Sequence, residues 1–305
     1  MAVSIDKIPP IDGLTWNGDS LYFTSILGPI FRYQPTLGDL NYYVTSTAVA
    51  VHPLGITNDG KAGDLLFVNS LPNYTGILMR VPPGSATMPV SMGAVTGMTL
   101  TFPNDTKWYS PKNAVVRASD GMIYVTDPGY QTTTDPLNAI YRVTPSTNAT
   151  GTVTTIDTFP NGDRPNGIAL SPNTDILYVS LTQDLGTGIK PSIVKYAVKD
   201  DGTVNPKTTF VDLPEDSQPD GLAVDSDGNV YVATATLGVV VYAPDNTKWG
   251  AIAMPVGVAA TNVAFGGDGL MTLYIGTDGG PKNPDDSSTY SGLYSAPVKV
   301  AGLQQ

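Results

Sequence analysis

One pattern of residues is written several times along this chain, and it restricts the fold more than any bulk property does. Gln218-Pro219-Asp220-Gly221-Leu222-Ala223-Val224-Asp225 leads through Ser226-Asp227-Gly228-Asn229 into Val230-Tyr231-Val232-Ala233-Thr234. An alternating strand, a tight Asp-Gly turn and a second strand rich in Val and Tyr make a β-hairpin. Arg164-Pro165-Asn166-Gly167-Ile168-Ala169-Leu170 repeats it into Ile176-Leu177-Tyr178-Val179-Ser180, and Pro111-Lys112-Asn113-Ala114-Val115-Val116 repeats it through Asp120-Gly121 into Met122-Ile123-Tyr124-Val125-Thr126. A unit of this size cannot bury its apolar face alone, so neighbouring copies must stack.

Six copies can be aligned, with register positions at Asp12, Leu54, Asn113, Asn166, Asp220 and Asn262, spaced 42 to 59 residues apart. Each offers about four short strands. Units of this length and strand number predict an all-β, six-bladed β-propeller with four antiparallel strands per blade. A β-helix would need much shorter repeats. Length alone would suggest two domains, but 32 Gly, 26 Pro and 16 Tyr without sustained helical periodicity favour one repeat domain over residues 1–305. Val3-Ser4-Ile5 is expected to add a strand to the last blade and so close the ring.

A net charge of −11 and a sequence pI near 4.3 disfavour nucleic acid and anionic membrane surfaces, which would repel the chain. The longest apolar-leaning tract, 251–265, is broken by Pro255 and Gly257 and is too short to span a bilayer. With no Cys there is neither a disulfide nor a thiolate. The expectation is a soluble monomer with a small-molecule substrate, cytoplasmic or secreted. Residues 1–7 do not read as a leader, and Asn73, Asn104 and Asn148 begin N-glycosylation triplets.

The register positions carry the chemistry. Asp and Asn before Gly are ordinary turn residues, yet five of the six positions are Asp or Asn and all stand where an innermost strand begins. The hairpin turns lie elsewhere, at Asp120-Gly121 and Asp227-Gly228. In a propeller these positions converge at one end of the central channel. Clustered carboxylate and amide oxygens with no thiol suit a hard cation, Ca²⁺ first, with Mg²⁺, Mn²⁺ or Zn²⁺ as alternatives. Carboxylates gathered there would repel one another without a cation.

At these residues the chain resembles the senescence marker protein/gluconolactonase family, which includes regucalcin. The resemblance spans all six units and rests on Arg164-Pro165-Asn166-Gly167-Ile168-Ala169, Gln218-Pro219-Asp220-Gly221-Leu222-Ala223-Val224-Asp225 and Ile123-Tyr124-Val125-Thr126-Asp127-Pro128. It implies one divalent cation held by Asp12, Asn113, Asn166 and Asp220, with Asn113 facing substrate in some members. It also implies a hydrolase of lactones or similar small esters. The chain departs from the family pattern at Asp12, where the family usually has Glu. Pro111 replaces an Arg associated with polyol-acid lactones, and Ala223 replaces an Asp of the phosphotriesterase-like members.

In that chemistry the cation polarises a carbonyl and activates water while a carboxylate takes the proton. Asp220 is the expected base. Lys112, Asn113, Asn262 and His52, the only histidine, are the expected substrate-binding residues, although a surface histidine and a solvated lysine are the plainer readings of His52 and Lys112. A Ser-His-Asp triad would need His52 and lacks a Gly-x-Ser-x-Gly elbow. A related propeller with a non-hydrolytic role, a metal-assisted isomerase or condensing enzyme or a ligand-binding scaffold, is the alternative. Tyr22, Phe67, Tyr124, Tyr178, Tyr231 and Tyr274 share one register and should pack between blades. The loops at 70–76, 130–138 and 280–290 should shape the pocket but follow no readable code.

Overall fold

The computed structural model of the chain describes residues 2–25, 28–44, 52–59, 64–71, 75–81, 96–102, 107–130, 137–147, 149–159, 162–183, 190–279 and 291–305. Six small sheets form the blades of a six-bladed β-propeller. The innermost strands are Ile11–Asn17, His52–Asn58, Ala114–Arg117, Arg164–Leu170, Pro219–Val224 and Ala259–Gly266. Each pairs antiparallel with the next strand of its own blade. Successive innermost strands are neighbours around the whole ring, the sixth lying against the first. The two hairpin turns fall where the sequence puts them, with Gly121 at φ 78° and Gly228 at φ 84°. That left-handed conformation is what glycine supplies at no steric cost.

Ring closure takes the expected form. Ala2–Ile8 pairs antiparallel with Ser291–Pro297, the third strand of blade 6, and becomes that blade's outer edge. Blade 3 departs from four antiparallel strands: it has five, because Thr99–Thr101 runs parallel to Thr150–Thr158. The same short segment serves two blades. Thr96–Gly97 edges blade 2 against Thr75–Val81, Met98 turns inward and is buried, and Thr99 begins the edge of blade 3. The sequence of blade 2 also suggests an outer strand near Pro89-Val90-Ser91-Met92, which lies outside the described residues. Blade 5 gains Lys248–Ile252 as its outer strand.

Packing follows the blades. Among the described residues the buried apolar side chains fall into six clusters, one at each interface between neighbouring blades. The aromatic register lies in them. Phe67, Tyr124, Tyr178, Tyr231 and Tyr274 are buried, and Tyr22 is half-buried against the blade 1–2 cluster. Trp16 stacks on Tyr274 at 5.7 Å where blade 6 meets blade 1, and Tyr231 meets Phe265 edge-on at 5.0 Å between blades 5 and 6. Such pairs add a directional preference to area burial. No helix among the described residues is long and apolar enough to cross a membrane.

Candidate functional site

Five of the six register residues stand on or beside β-bulges, while the blade 3 ladder that follows Asn113 runs without a register shift. Ile11 pairs with Ser25 and Leu14 with Phe23, so Asp12 and Gly13 together oppose the single residue Thr24. The ladder slips in the same way at Leu54-Gly55, Asn166-Gly167 and Asp220-Gly221, and beside Asn262. A bulge bends its strand and re-aims a side chain. Here it turns successive side chains to one mouth of the channel.

Gly13, Gly55, Gly167 and Gly221 are therefore not turn residues, and none has positive φ. They are points of closest approach. A Cβ on Gly13 would lie 2.6 Å from the Leu54 carbonyl oxygen, and one on Gly55 would lie 2.6 Å from Asn113 Cα. The Asp220 carbonyl and the Asn262 side chain crowd Gly167 and Gly221 in the same way. Glycine follows the register residue at these four positions because the next blade, through its backbone or the Asn262 side chain, occupies the space a side chain would need.

Hydroxyls bond the bulges together. Gly13 N–H donates to Thr24 Oγ1 at 2.9 Å, and that hydroxyl donates to the Leu54 carbonyl of blade 2. Asn113 N–H donates to Thr126 Oγ1 at 3.1 Å, and Thr126 donates to the Asn166 carbonyl at 2.5 Å. Gly167 N–H donates to Ser180 Oγ at 2.7 Å, and Ser180 donates to the Asp220 carbonyl at 2.7 Å. Each hydroxyl satisfies a backbone N–H at or next to a register residue and ties it to the next blade. These residues stand two places after the aromatic register, which is the signal that sequence reading overlooked.

At the mouth, Asp12, Asn113, Asn166 and Asn262 are buried and Asp220 is half-buried. Asn113 Nδ2 donates to Asn166 Oδ1 at 3.3 Å, Asn262 Nδ2 donates to the Asp12 carbonyl at 2.7 Å, and Asn166 Nδ2 lies 3.3 Å from the Tyr130 hydroxyl. Lys112 Nζ forms an ion pair with Asp12 Oδ1. Two carboxylate oxygens in the ring, Asp12 Oδ2 and Asp220 Oδ1, are buried without a hydrogen-bond partner. Burial pushes the Asp220 carboxyl well above the ordinary range; Lys112 opposes this and Asp12 adds to it. Burial would depress the Lys112 ammonium, but the Asp12 and Asp220 carboxylates hold it above its usual value.

The donor chemistry fits a hard divalent ion: carboxylate and amide oxygens converge, and two of the carboxylate oxygens lack partners. Among the described residues no group of three or more His, Cys, Asp or Glu gathers, so the fit depends on the Asn amides. A cavity of about 270 Å³ opens over the ring, bounded by Lys112, Tyr130, Asn166, Asp220, Thr261 and Asp278. Tyr130 thus belongs to the ring mouth, with the Arg164 guanidinium 5.0 Å from its ring centroid. Tyr130, Thr182, Gln218 and Asp278 line this cavity without any motif to announce them. His52 begins the innermost strand of blade 2, and its side chain lies outside the described part. So does most of the loops at 70–76, 130–138 and 280–290.

Below the ring the channel is lined by Leu14, Ile56, Thr57, Val115, Ile168 and Leu222. Gln305 reaches across it. Its Nε2 donates to the Leu170 carbonyl at 2.6 Å, and its carbonyl accepts from Thr15 Oγ1 at 2.6 Å.

Asp127 holds the segment that carries Lys112 and Asn113. Buried completely, its carboxylate accepts from the N–H groups of Tyr109, Ser110 and Gly129 at 2.6, 2.8 and 3.1 Å. Burial raises this carboxyl to about 6 from 3.8, more than the three N–H groups lower it. A raised folded-state value means that the stabilisation is fully present below about pH 4 and is lost as pH rises through about 6, a loss of about 3 kcal/mol. Unfolding free energies of wild type and Asp127→Asn should therefore differ by an amount that falls between pH 4 and pH 7. A difference independent of pH would refute the assignment.

The comparisons with known proteins agree with this fold. A family model described as the SMP-30/gluconolactonase/LRE-like region matches residues 12–279. A gluconolactonase of Zymomonas mobilis is 28% identical over 288 residues, covering 87% of this chain and 75% of that protein. A pentonolactonase of Haloferax volcanii is 35% identical over 133 residues, 43% of each. Among solved structures, a gluconolactonase of Xanthomonas campestris superposes with a TM-score of 0.73 at 23% identity, over 96% of this chain and 88% of that one. Regucalcin of Agrobacterium tumefaciens, a calcium-binding protein, gives 0.68 at 15% identity, over 99% and 96%. At these identities the two structures testify to the fold.

Proposed function

The chain belongs to the SMP-30/gluconolactonase/LRE-like family, and from that premise we propose that it is a divalent-cation-dependent lactonase. Its substrate is the lactone of a sugar acid or a similar small cyclic ester, the class named by its gluconolactonase and pentonolactonase relatives. The observation that carries this reading is the ring of oxygens at the channel mouth, with Asp12 Oδ2 and Asp220 Oδ1 buried and unpartnered.

Asp12, Asn113, Asn166 and Asp220 would hold the cation, with Ca²⁺ as the first expectation. When bound, it supplies Lewis-acid polarisation of the ester carbonyl and of the attacking water. Asp220 is the base. Its side chain borders the open cavity, where it can take a proton from the attacking water. Tyr130 and Asn166, joined at 3.3 Å, bound the space for the ring of the substrate. Asn113 presents its amide between Asn166 and Asn262, where it can orient the carbonyl. Gln305 crosses the channel below the ring, and the ester approaches from the cavity at the mouth.

Elemental analysis of purified protein should find about one divalent ion per chain, and chelation should abolish hydrolysis of aldonolactones until the ion is restored. Full hydrolysis by metal-free protein would remove the cation from the mechanism. No hydrolysis of any lactone by metal-loaded protein would remove the lactonase.

A further inference from the structure

The polar ring has one gap. In blade 2 the register residue is Leu54, which is buried and has no group to offer a cation. The side chain of Lys112, from the segment leading into blade 3, crosses that sector and pairs with Asp12 of blade 1. Its path is fixed by its own backbone. Lys112 N–H donates to the Thr126 carbonyl at 2.8 Å, and its carbonyl accepts from Gly55 N–H at 2.6 Å. Blades 2 and 3 thus clamp the residue from both sides. The ammonium and the carboxylate are both largely buried, with side-chain exposures of 11% and 6%. A charge so placed needs a partner.

We infer that Lys112 is a resident cation of the channel, occupying the Asp12 corner of the oxygen ring in competition with the divalent ion. This rests on the cation-dependent reading above and adds to it a property of this chain's own lysine. Both cations require Asp12, and two positive charges cannot share one buried carboxylate without repulsion. While the ion pair stands, a divalent ion is held by Asn113, Asn166 and Asp220, and Asp12 joins only if Lys112 leaves. The shorter Asp at this position, one methylene less than Glu, suits a carboxylate whose partner comes to it on a long lysine side chain.

The test is calorimetric titration of metal-free protein with Ca²⁺, alongside thermal unfolding with and without Ca²⁺, for wild type, Lys112→Met, Asp12→Asn and the double variant. Competition of this kind is a coupling between two ligands, and its expected size is about tenfold or more. Lys112→Met should bind Ca²⁺ more tightly than wild type by that factor. Asp12→Asn should weaken binding far more in the Lys112→Met background than in wild type. Lys112→Met should melt lower without Ca²⁺ and recover with it.

Equal or weaker Ca²⁺ binding by a folded Lys112→Met protein overturns the competition and leaves the cation-dependent reading standing. Should Lys112→Met fail to fold even with Ca²⁺ while the double variant folds, Ca²⁺ cannot take the place of the ammonium, and the inference falls. If no variant binds Ca²⁺, Mg²⁺, Mn²⁺ or Zn²⁺, both the inference and the cation-dependent reading fall together.

Discussion

Replacing Gly167 by alanine should cost about 3 kcal/mol of stability, the upper end of what overpacking a tight contact usually costs, and should lower the melting temperature by roughly 5 °C. The new methyl group would meet the Asp220 carbonyl and Gly221 Cα. These are backbone atoms of the neighbouring blade, held by Ser180, and neither can swing aside as a flexible side chain could. Gly97 is the control. It has nothing within 4 Å of its Cβ direction and no positive φ, so alanine there should stay within about 0.5 kcal/mol of wild type. Calorimetry on the two variants decides the matter. Equal melting temperatures would mean that the ring glycines are not points of forced approach. Relieving the clash requires blades 4 and 5 to separate, so Gly167→Ala should also disturb the spacing of Asn166 and Asp220.

Asp220→Asn should reduce lactone hydrolysis about 10²- to 10⁴-fold, the usual contribution of a positioned general base, while circular dichroism stays that of the wild type. The substitution preserves shape and removes one carboxylate from a ring that holds two, Asp12 and Asp220. Asp220 Oδ1 has no hydrogen-bond partner to lose, the Asn side chain keeps an oxygen that can still accept from Asn166, and Lys112 retains Asp12, so the fold should tolerate the change. Rates under substrate saturation, measured at a Ca²⁺ concentration that restores occupancy of the variant, separate loss of the base from loss of the ion. Activity within about tenfold of wild type under those conditions would assign proton transfer to another group.

Much of the architecture is legible in the sequence because it is repeated. The hairpin pattern sets six units, the aromatic register sets the interfaces, and Val3-Ser4-Ile5 points to the closing strand. What is not legible depends on neighbours distant in sequence. The Asp-Gly and Asn-Gly pairs look like turns, and only the close approach of the next blade shows that they are bulges. Asp12 and Lys112 are 100 residues apart, and their meeting depends on the apolar Leu54 lying between them in the ring. The fifth strand of blade 3 has three residues, too few for any periodicity to register. Asp127, visible as part of an Asp-Pro-Gly turn, gives no hint in the sequence that it anchors Tyr109 and Ser110.

The sheet that joins Ala2–Ile8 to Ser291–Pro297 abolishes the distinction between terminal and internal repeats. In a linear array the end units have one neighbour, fray first and need polar caps. Here every blade has two neighbours, and opening the molecule at any point breaks an apolar interface on each side of the blade that moves. The closing strand is itself held by an antiparallel ladder with two register shifts, so the ring offers no end unit from which melting can spread. Such a molecule should lose its structure in one cooperative step, and the six oxygen-bearing and spacer positions at its mouth should vanish together.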